Sequence, residues 1–263
     1  MRPLSSWQVS TPLVGIFTDI DDTLTTDGDI TPDALNALAD LKAAGLHVVP
    51  ITGRPVGWSE PFAHSWPVDA IVAENGAVGL VHKNGQPLLK LYQQDTPTRI
   101  SNFARMQQVL AKIEQTVPGA QRSQDSAGRE TDIAIDHSEF TQLPQAAIDR
   151  VVRIMQTEGM TATVSSIHIN GWFGQHSKLT GARWIVRHLW GRDLDAEIDR
   201  WVYVGDSTND QVMFERFANS VGVANIQRFE AQLTHSPRYI TPSERGEGFS
   251  ELAQHLLRQL VEG

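Results

Sequence analysis

The segment Leu13-Val-Gly-Ile-Phe-Thr-Asp19-Ile-Asp21-Asp-Thr-Leu24 decides how the rest of the chain is interpreted. Its apolar run at residues 13–17 is typical of a buried parallel strand, and the run leads directly into carboxylates. In an open α/β sheet, ligands bind beyond the carboxyl ends of the strands. Asp19 and Asp21 are therefore predicted to lie at the edge of a site.

Two carboxylates with this spacing suit phosphoryl transfer. Asp19 would attack phosphorus and form an acyl phosphate, while Asp21, when protonated, would donate to the leaving alkoxide and later activate water. An isolated Asp-x-Asp is more typical of an acidic turn that caps the next segment. The choice between the two depends on the other segments that end at the same sheet edge.

Two further strands are followed by polar residues. Thr52 follows a strand predicted at residues 47–51, so its hydroxyl and the Gly53 amide are candidates for binding a phosphoryl oxygen, although Thr-Gly also occurs in ordinary turns. A third strand, at residues 70–73, leads into Glu74-Asn75-Gly76. This tripeptide either forms a plain turn or places Asn75 against a substrate.

The carboxyl-terminal half contributes acidic and basic candidates. Gly205-Asp206-Ser-Thr-Asn209-Asp210 follows a strand at residues 201–204, and its carboxylates suit Mg²⁺, which prefers oxygen ligands. The same residues also read as a helix start, with Asp206 or Ser207 as the cap and Asp210 complementing the helix dipole. Lys178, near another helix start, either neutralises charge on the transferring group or is simply solvated.

The order of elements predicts an α/β fold: a doubly wound, parallel-sheet Rossmann-like core with an inserted α/β cap domain. We place the core at residues 1–82 and 174–263. Asn84-Gly85 is a hairpin signal, and a long helix, a strand, a second helix and one or two more strands follow, so residues 83–173 are assigned to the cap. The polar stretch at residues 121–130 is expected to be a mobile loop.

Composition narrows the function classes. The chain of 263 residues has a net charge of −9, which disfavours binding to nucleic acid. It contains no cysteine, which suits a reducing cytoplasm, and neither a secretory signal nor an apolar membrane span is recognisable. We therefore expect a cytoplasmic protein, monomeric or homodimeric, whose partner is a small phosphorylated metabolite.

Taken in order, Asp19-Ile-Asp21, the strand ending at Thr52, Lys178 and Gly205-Asp206-x-x-Asn-Asp210 resemble the four motifs of the haloacid dehalogenase-like superfamily. The cap between the second and third motifs resembles that of subclass IIB, which includes sugar-phosphate phosphatases and phosphomannomutases. This resemblance implies that Asp19 is the nucleophile and Asp21 the acid/base. Its implied phosphate ligands are Thr52, Gly53 and Lys178, and its implied Mg²⁺ ligands are Asp19, Asp21 through its main-chain carbonyl, Asp206 and Asp210.

The expected function is hydrolysis of a small phosphate monoester, a sugar phosphate above all, through an aspartyl-phosphate intermediate. A sugar phosphomutase and a non-enzymatic, receiver-like phosphoacceptor are the alternatives. Asp22 departs from the family, which commonly has glycine there. The predicted substrate contacts are Asn75, Arg129, His168 and Asn209, with Arg122 and Asn170 as further cap candidates.

Overall fold

The computed structural model describes residues 1–83 and 85–262, so Asn84 of the predicted hairpin turn lies outside the described residues. The helices are α1 Pro32–Ala43, α2 Val56–Ser65, α3 Thr96–Thr116, α4 Gln145–Thr157, α5 Lys178–Trp190, α6 Gln211–Arg216 and α7 Arg245–Glu262. None of the helices within the described ranges is both long and apolar enough to cross a membrane.

The strands form four sheets. They are β1 Arg2–Pro3, β2 Gly15–Thr18, β3 Thr25–Thr26, β4 Asp29–Ile30, β5 His47–Pro50, β6 Ile71–Ala73, β7 Val78–Val81, β8 Leu89–Tyr92, β9 Gln121–Arg122, β10 Ile133–Asp136, β11 Thr161–Val164, β12 His168–Trp172, β13 Trp201–Gly205, β14 Asn219–Gly222 and β15 Tyr239–Ile240. The central sheet has the order β1-β15-β14-β13-β2-β5 and is parallel throughout.

The central sheet is buried on both faces because its strands alternate between two apolar layers. In β2, Ile16 belongs to the layer that contains α1 and α7, whereas Phe17 belongs to the layer that contains α5 and α6. In β5, Val48 and Val49 divide in the same way. The predicted doubly wound fold class is confirmed by this arrangement and by the solved structures compared below.

A second sheet, of order β11-β12-β10-β9, is antiparallel and packs against α3 and α4. Ile133 and Ile135 of β10 and Ile169 of β12 face the two helices. Because side chains alternate along a strand, the neighbouring His168 and Asn170 lie on the opposite face of the sheet. Contacts described below place that polar face against the central sheet.

The domain limits stay a prediction, and one pairing bears on them. β8 falls within the predicted cap range but pairs with β7, which falls within the predicted core range. The stretch at residues 121–130 differs from the expected mobile loop, since it contains β9 and a short 3-10 helix, Gln124–Gly128. Its polar residues are held by ion pairs that sequence periodicity does not reveal.

Candidate active site

Three parallel strands deliver the predicted residues to one edge of the central sheet. Asp19 directly follows β2, Asp206 directly follows the neighbouring strand β13, and Thr52 lies two residues beyond β5 on the other side. All three residues are buried. Parallel strands place their carboxyl ends together, so segments far apart in sequence share this edge.

Lys178 joins the edge from the start of α5. Its Nζ lies 2.9 Å from Asp19 Oδ1 and 2.7 Å from Asp210 Oδ1. Burial opposes the charge, yet the two carboxylates raise the pKa of Lys178. The residue is therefore a fixed, buried ammonium and not the solvated lysine of the alternative interpretation. The turn at Gly76 lets α5 approach, because a Cβ there would overlap the Ser177 carbonyl.

Asp19, Asp206 and Asp210 bring carboxylate oxygens within 4.8 Å of one another. Burial raises the pKa of Asp19 to about 7, assisted by repulsion from Asp210 and Asp21 and opposed by Lys178. Burial and the same neighbouring charges raise the pKa of Asp206 well above its ordinary value. Three buried carboxylates beside one ammonium carry an excess of negative charge, which a cation would offset.

The two carboxylates of the Gly205–Asp210 segment differ in their partners. Asp210 accepts hydrogen bonds from Lys178 Nζ and the Tyr203 hydroxyl on one oxygen, and from the amides of Asp206 and Ser207 on the other. Asp210 therefore both caps the turn that begins at Ser207 and forms an ion pair with Lys178, so the two interpretations made from the sequence are compatible. Asp206 accepts from Asn225 through Oδ2, whereas its buried Oδ1 has no hydrogen-bond partner among the described residues.

Asp21 faces the cap side of the edge. Both its oxygens accept from Arg54 Nε, at 2.9 and 3.1 Å. Arg54 also contacts two cap carboxylates, Asp125 at 3.2 Å and Glu139 at 2.7 Å. Arg54, Asp125 and Glu139 are residues that the sequence interpretation missed. Only the position of Arg54 directly after Thr52-Gly53 was a usable signal.

Cap residues contact the Thr52–Arg54 loop directly. Arg129 Nη1 and Asn170 Nδ2 donate to the Gly53 carbonyl, at 3.0 and 3.3 Å. The buried Asp132 accepts from Arg129, from Asn170 and, at 3.5 Å, from Asn75. Asn75 has φ 54° within a 3-10 turn, so it both forms the turn and faces the cap.

The remaining predicted contacts divide into two groups. His168 is buried and bonds Glu139 through Nε2 at 2.8 Å, which places it beside Arg54. Asn209 is buried and accepts from Ser207 Oγ. Arg122, in contrast, is half-exposed and pairs with Glu114 of α3, so its ion pair lies within the cap and not with the sheet edge.

Residues 16–118 match a family model described as haloacid dehalogenase-like hydrolase. No curated protein sequence matches the chain. Among solved structures, a Thermoplasma acidophilum protein superposes with a TM-score of 0.71 at 15% identity, covering 95% of this chain and 100% of that one. The Synechocystis sucrose-phosphatase, solved with sucrose and phosphate, gives 0.66 at 16% identity over 93% and 98%.

A subclass IIB sugar phosphatase of the same superfamily gives a TM-score of 0.62 at 17% identity, over 92% of this chain and 98% of that one. At such identities the structural matches establish the fold alone. Together with the match over residues 16–118, they agree with the resemblance to haloacid dehalogenase-like hydrolases that the four motifs indicated.

Proposed function

We propose that the chain is a Mg²⁺-dependent phosphomonoesterase of the cytoplasm that hydrolyses a small phosphorylated metabolite, a sugar phosphate above all. The observation that carries the proposal is the Asp19–Lys178–Asp210 cluster with Asp206 beside it at one sheet edge. A buried carboxylate next to a fixed ammonium is suited to attack an anionic phosphoryl group, because the ammonium offsets the charge that gathers there.

Each step can be assigned to residues of the chain. Asp19 attacks phosphorus, the ester P–O bond breaks, and Asp21 gives its proton to the leaving oxygen. Asp21 then accepts a proton from water, the water oxygen attacks phosphorus, and cleavage of the acyl phosphate frees Asp19 and inorganic phosphate. Thr52 and the Gly53 amide remain the proposed phosphoryl ligands, and Arg54 positions Asp21 through two hydrogen-bond contacts.

The site suits Mg²⁺ by its oxygen donors and by the unpartnered buried Oδ1 of Asp206. Asp19 and Asp206 would hold the ion together with the Asp21 main-chain carbonyl. Asp210 was predicted as a ligand too, but both its oxygens already accept hydrogen bonds. We therefore assign Asp210 to positioning Lys178 and the Gly205–Ser207 turn. The ion would supply positive charge that stabilises the transferring phosphoryl group.

A phosphate-release assay over a panel of sugar phosphates, with Mg²⁺ and with chelator, tests the proposal. Release that depends on Mg²⁺ is the expected result. Conversion of the substrate into an isomeric sugar phosphate, without inorganic phosphate, would instead identify the mutase. The hydrolase family match already favours an enzyme over the receiver-like phosphoacceptor.

Mg²⁺ is expected to raise the Tm of the protein by several degrees, because a ligand at 100 times its Kd stabilises by about 2.7 kcal/mol. Asp206→Asn should raise the Tm of the metal-free protein, since it removes a buried carboxyl group whose ionisation is opposed by burial, and should abolish the response to Mg²⁺. Thermal denaturation with Mg²⁺ and with chelator measures both effects. Asp149→Asn, at an exposed position of α4, is the control, and an undiminished Mg²⁺ response in Asp206→Asn would contradict the assignment.

The stability of the metal-free protein is also expected to depend on pH through Asp19. The pKa of Asp19 is about 7 in the folded protein against an ordinary 3.8, so between these values the folded state binds more protons than the unfolded state. The contribution of Asp19 to the free energy of unfolding is therefore fully present below about pH 4 and is lost as the pH rises to about 7. Asp19→Asn removes this pH-dependent loss of stability. The Tm of the variant should therefore exceed the Tm of the wild type by a margin that grows from pH 5 to pH 7.5. A constant difference would show that Asp19 titrates normally.

A further inference from the structure

The cavity in front of Asp21 is where a leaving group would lie, an assignment that rests on the proposed function. A cavity of about 400 Å³ is lined by Asp21, by the segment after β2, by Glu139 and Phe140 of the cap and by Arg54 and Arg245. Because Asp21 is the proposed proton donor to the ester oxygen, the group released on that oxygen must occupy this space. The volume is near the small end of ligand pockets, which suits a small metabolite.

The lining of this cavity is acidic. Four carboxylates face it, from Asp21, Asp22, Asp27 and Glu139, against two guanidinium groups. Asp22 and Asp27 both have a φ of 53°, a conformation that glycine adopts more readily. Asp22 occupies a position where the resembled family commonly has glycine. Its carboxylate adds a negative charge to the lining of this cavity.

Both guanidinium groups are already engaged. Arg245 Nε lies 3.2 Å from Asp22 Oδ1, and Arg245 Nη1 lies 2.7 Å from Asp27 Oδ1. Arg54 binds Asp21 and Glu139, and it is also paired with Asp125. Among the described residues that line the cavity, each cation thus has at least two carboxylate partners.

A leaving group with its own carboxylate or second phosphate would meet like charge here, and the described lining residues offer it no unengaged cation. Hydroxyl groups would be well placed, because a carboxylate only accepts hydrogen bonds and a hydroxyl can donate one. The ring of Phe140 is 65% exposed at the cavity and offers an apolar surface beside the carboxylates.

We propose that Glu139, Asp22 and Asp27 select the substrate by charge: the enzyme accepts phosphate esters of neutral or amine-bearing alcohols and rejects those whose alcohol carries a second negative charge. Rejection by like charge is a common means of specificity, since unfavourable contacts with the wrong ligand count as much as favourable contacts with the right one. Glu139 and Asp22 have the larger shares because they are only 18% and 20% exposed, so their charges are screened less than that of Asp27 at 84%.

Three hexose derivatives with the same primary phosphate ester test the proposal on the Mg²⁺-loaded enzyme. We expect kcat/KM for 6-phosphogluconate to be about 10- to 100-fold below that for glucose 6-phosphate, and glucosamine 6-phosphate to equal or exceed glucose 6-phosphate. Each compound is also titrated as an inhibitor of p-nitrophenyl phosphate hydrolysis, so that a compound which binds without turnover is still ranked.

Glu139→Gln keeps the shape of the side chain and the hydrogen-bond acceptor for Arg54. It should reduce the ratio of kcat/KM for glucose 6-phosphate to kcat/KM for 6-phosphogluconate about tenfold. Asp27→Asn, at a position whose positive φ asparagine tolerates, should narrow it less. Glu158→Gln, in a pair with Lys112 on the outer side of the cap, should leave the ratio unchanged.

Equal kcat/KM and equal inhibition by the neutral and acidic compounds would overturn the proposal while leaving the phosphatase intact. So would a Glu139→Gln variant in which all three compounds change by one factor. Absence of phosphate release from every compound, p-nitrophenyl phosphate included, would overturn the proposed function itself.

Discussion

Asp19→Asn is expected to lower kcat for phosphate release on the order of 10⁴-fold or more while the fold stays intact. The amide keeps the shape of the side chain but lacks the nucleophilic oxygen. Lys178 retains Asp210 as a partner at 2.7 Å, so the buried ammonium is not left without a counter-charge. Phosphate release at saturating Mg²⁺, with thermal denaturation of the same sample, measures both parts.

The control for this prediction is Asp149→Asn, which makes the same chemical change at an exposed position of the cap helix α4. It should keep wild-type turnover. An Asp19→Asn enzyme that retains a tenth or more of wild-type kcat would show that another group attacks phosphorus. A loss of turnover accompanied by unfolding would fail the second half of the prediction.

Lys178→Met is expected to be the most destabilising change at the site. Removing one partner of a buried ion pair costs about 3–5 kcal/mol, and here the loss leaves Asp19 and Asp210 facing each other without a cation. For a chain of this length such a change lowers the Tm on the order of 10 °C. Thermal denaturation of the metal-free protein measures it, and turnover should be lost as well, because no ammonium remains beside the phosphoryl group.

A double variant separates the charge effect from loss of packing. Adding Asp210→Asn to Lys178→Met removes one of the stranded carboxylates, so part of the lost Tm should return. Lys112→Met, at a half-exposed pair with Glu158, should change the Tm little, since surface pairs contribute about 0–1 kcal/mol. An unchanged Tm in Lys178→Met, or a double variant less stable than the single one, would contradict the interpretation.

The core was predictable because its signals are local and periodic. Each strand that leads to the site is a short apolar run followed at once by a polar residue, and this places Asp19, Thr52 and Asp206 without knowledge of their contacts. Lys178 was predictable only from its place in the order of the four motifs. Nothing in the sequence around it distinguishes a buried lysine from a solvated one. Its burial is a consequence of the close approach at Gly76.

The cap contacts were mostly beyond sequence reasoning. Asp125 lies in a short 3-10 helix and Glu139 in an irregular segment, and neither offers a periodicity that says which way a side chain points. Their partner Arg54 is 71 and 85 residues away. Arg129 and His168 were among the predicted substrate contacts, and the structure gives Arg129 an ion-pair partner in Asp132 and His168 a hydrogen-bond partner in Glu139. Their role toward a substrate stays a prediction.

Asp210 shows how one residue satisfies two interpretations. Its spacing from Asp206 predicted a metal ligand, and the same spacing suits a reciprocal cap on the turn that begins at Ser207. The structure supplies what spacing cannot, namely the number of donors that each carboxylate oxygen already holds. By that count Asp206 has acceptor capacity left and Asp210 has little.

The ion pair between Asp19 and Lys178 joins positions 159 residues apart, and β2 obtains its neighbour β13 only after the cap has been synthesised. A ribosome that has synthesised only the first half of this chain has thus made Asp19 but neither Lys178 nor Asp206. Contacts so distant in sequence form late, since the intervening chain must first be ordered. On the proposed function, the growing polypeptide could not hydrolyse a phosphate ester until residues 178–210 have emerged and docked.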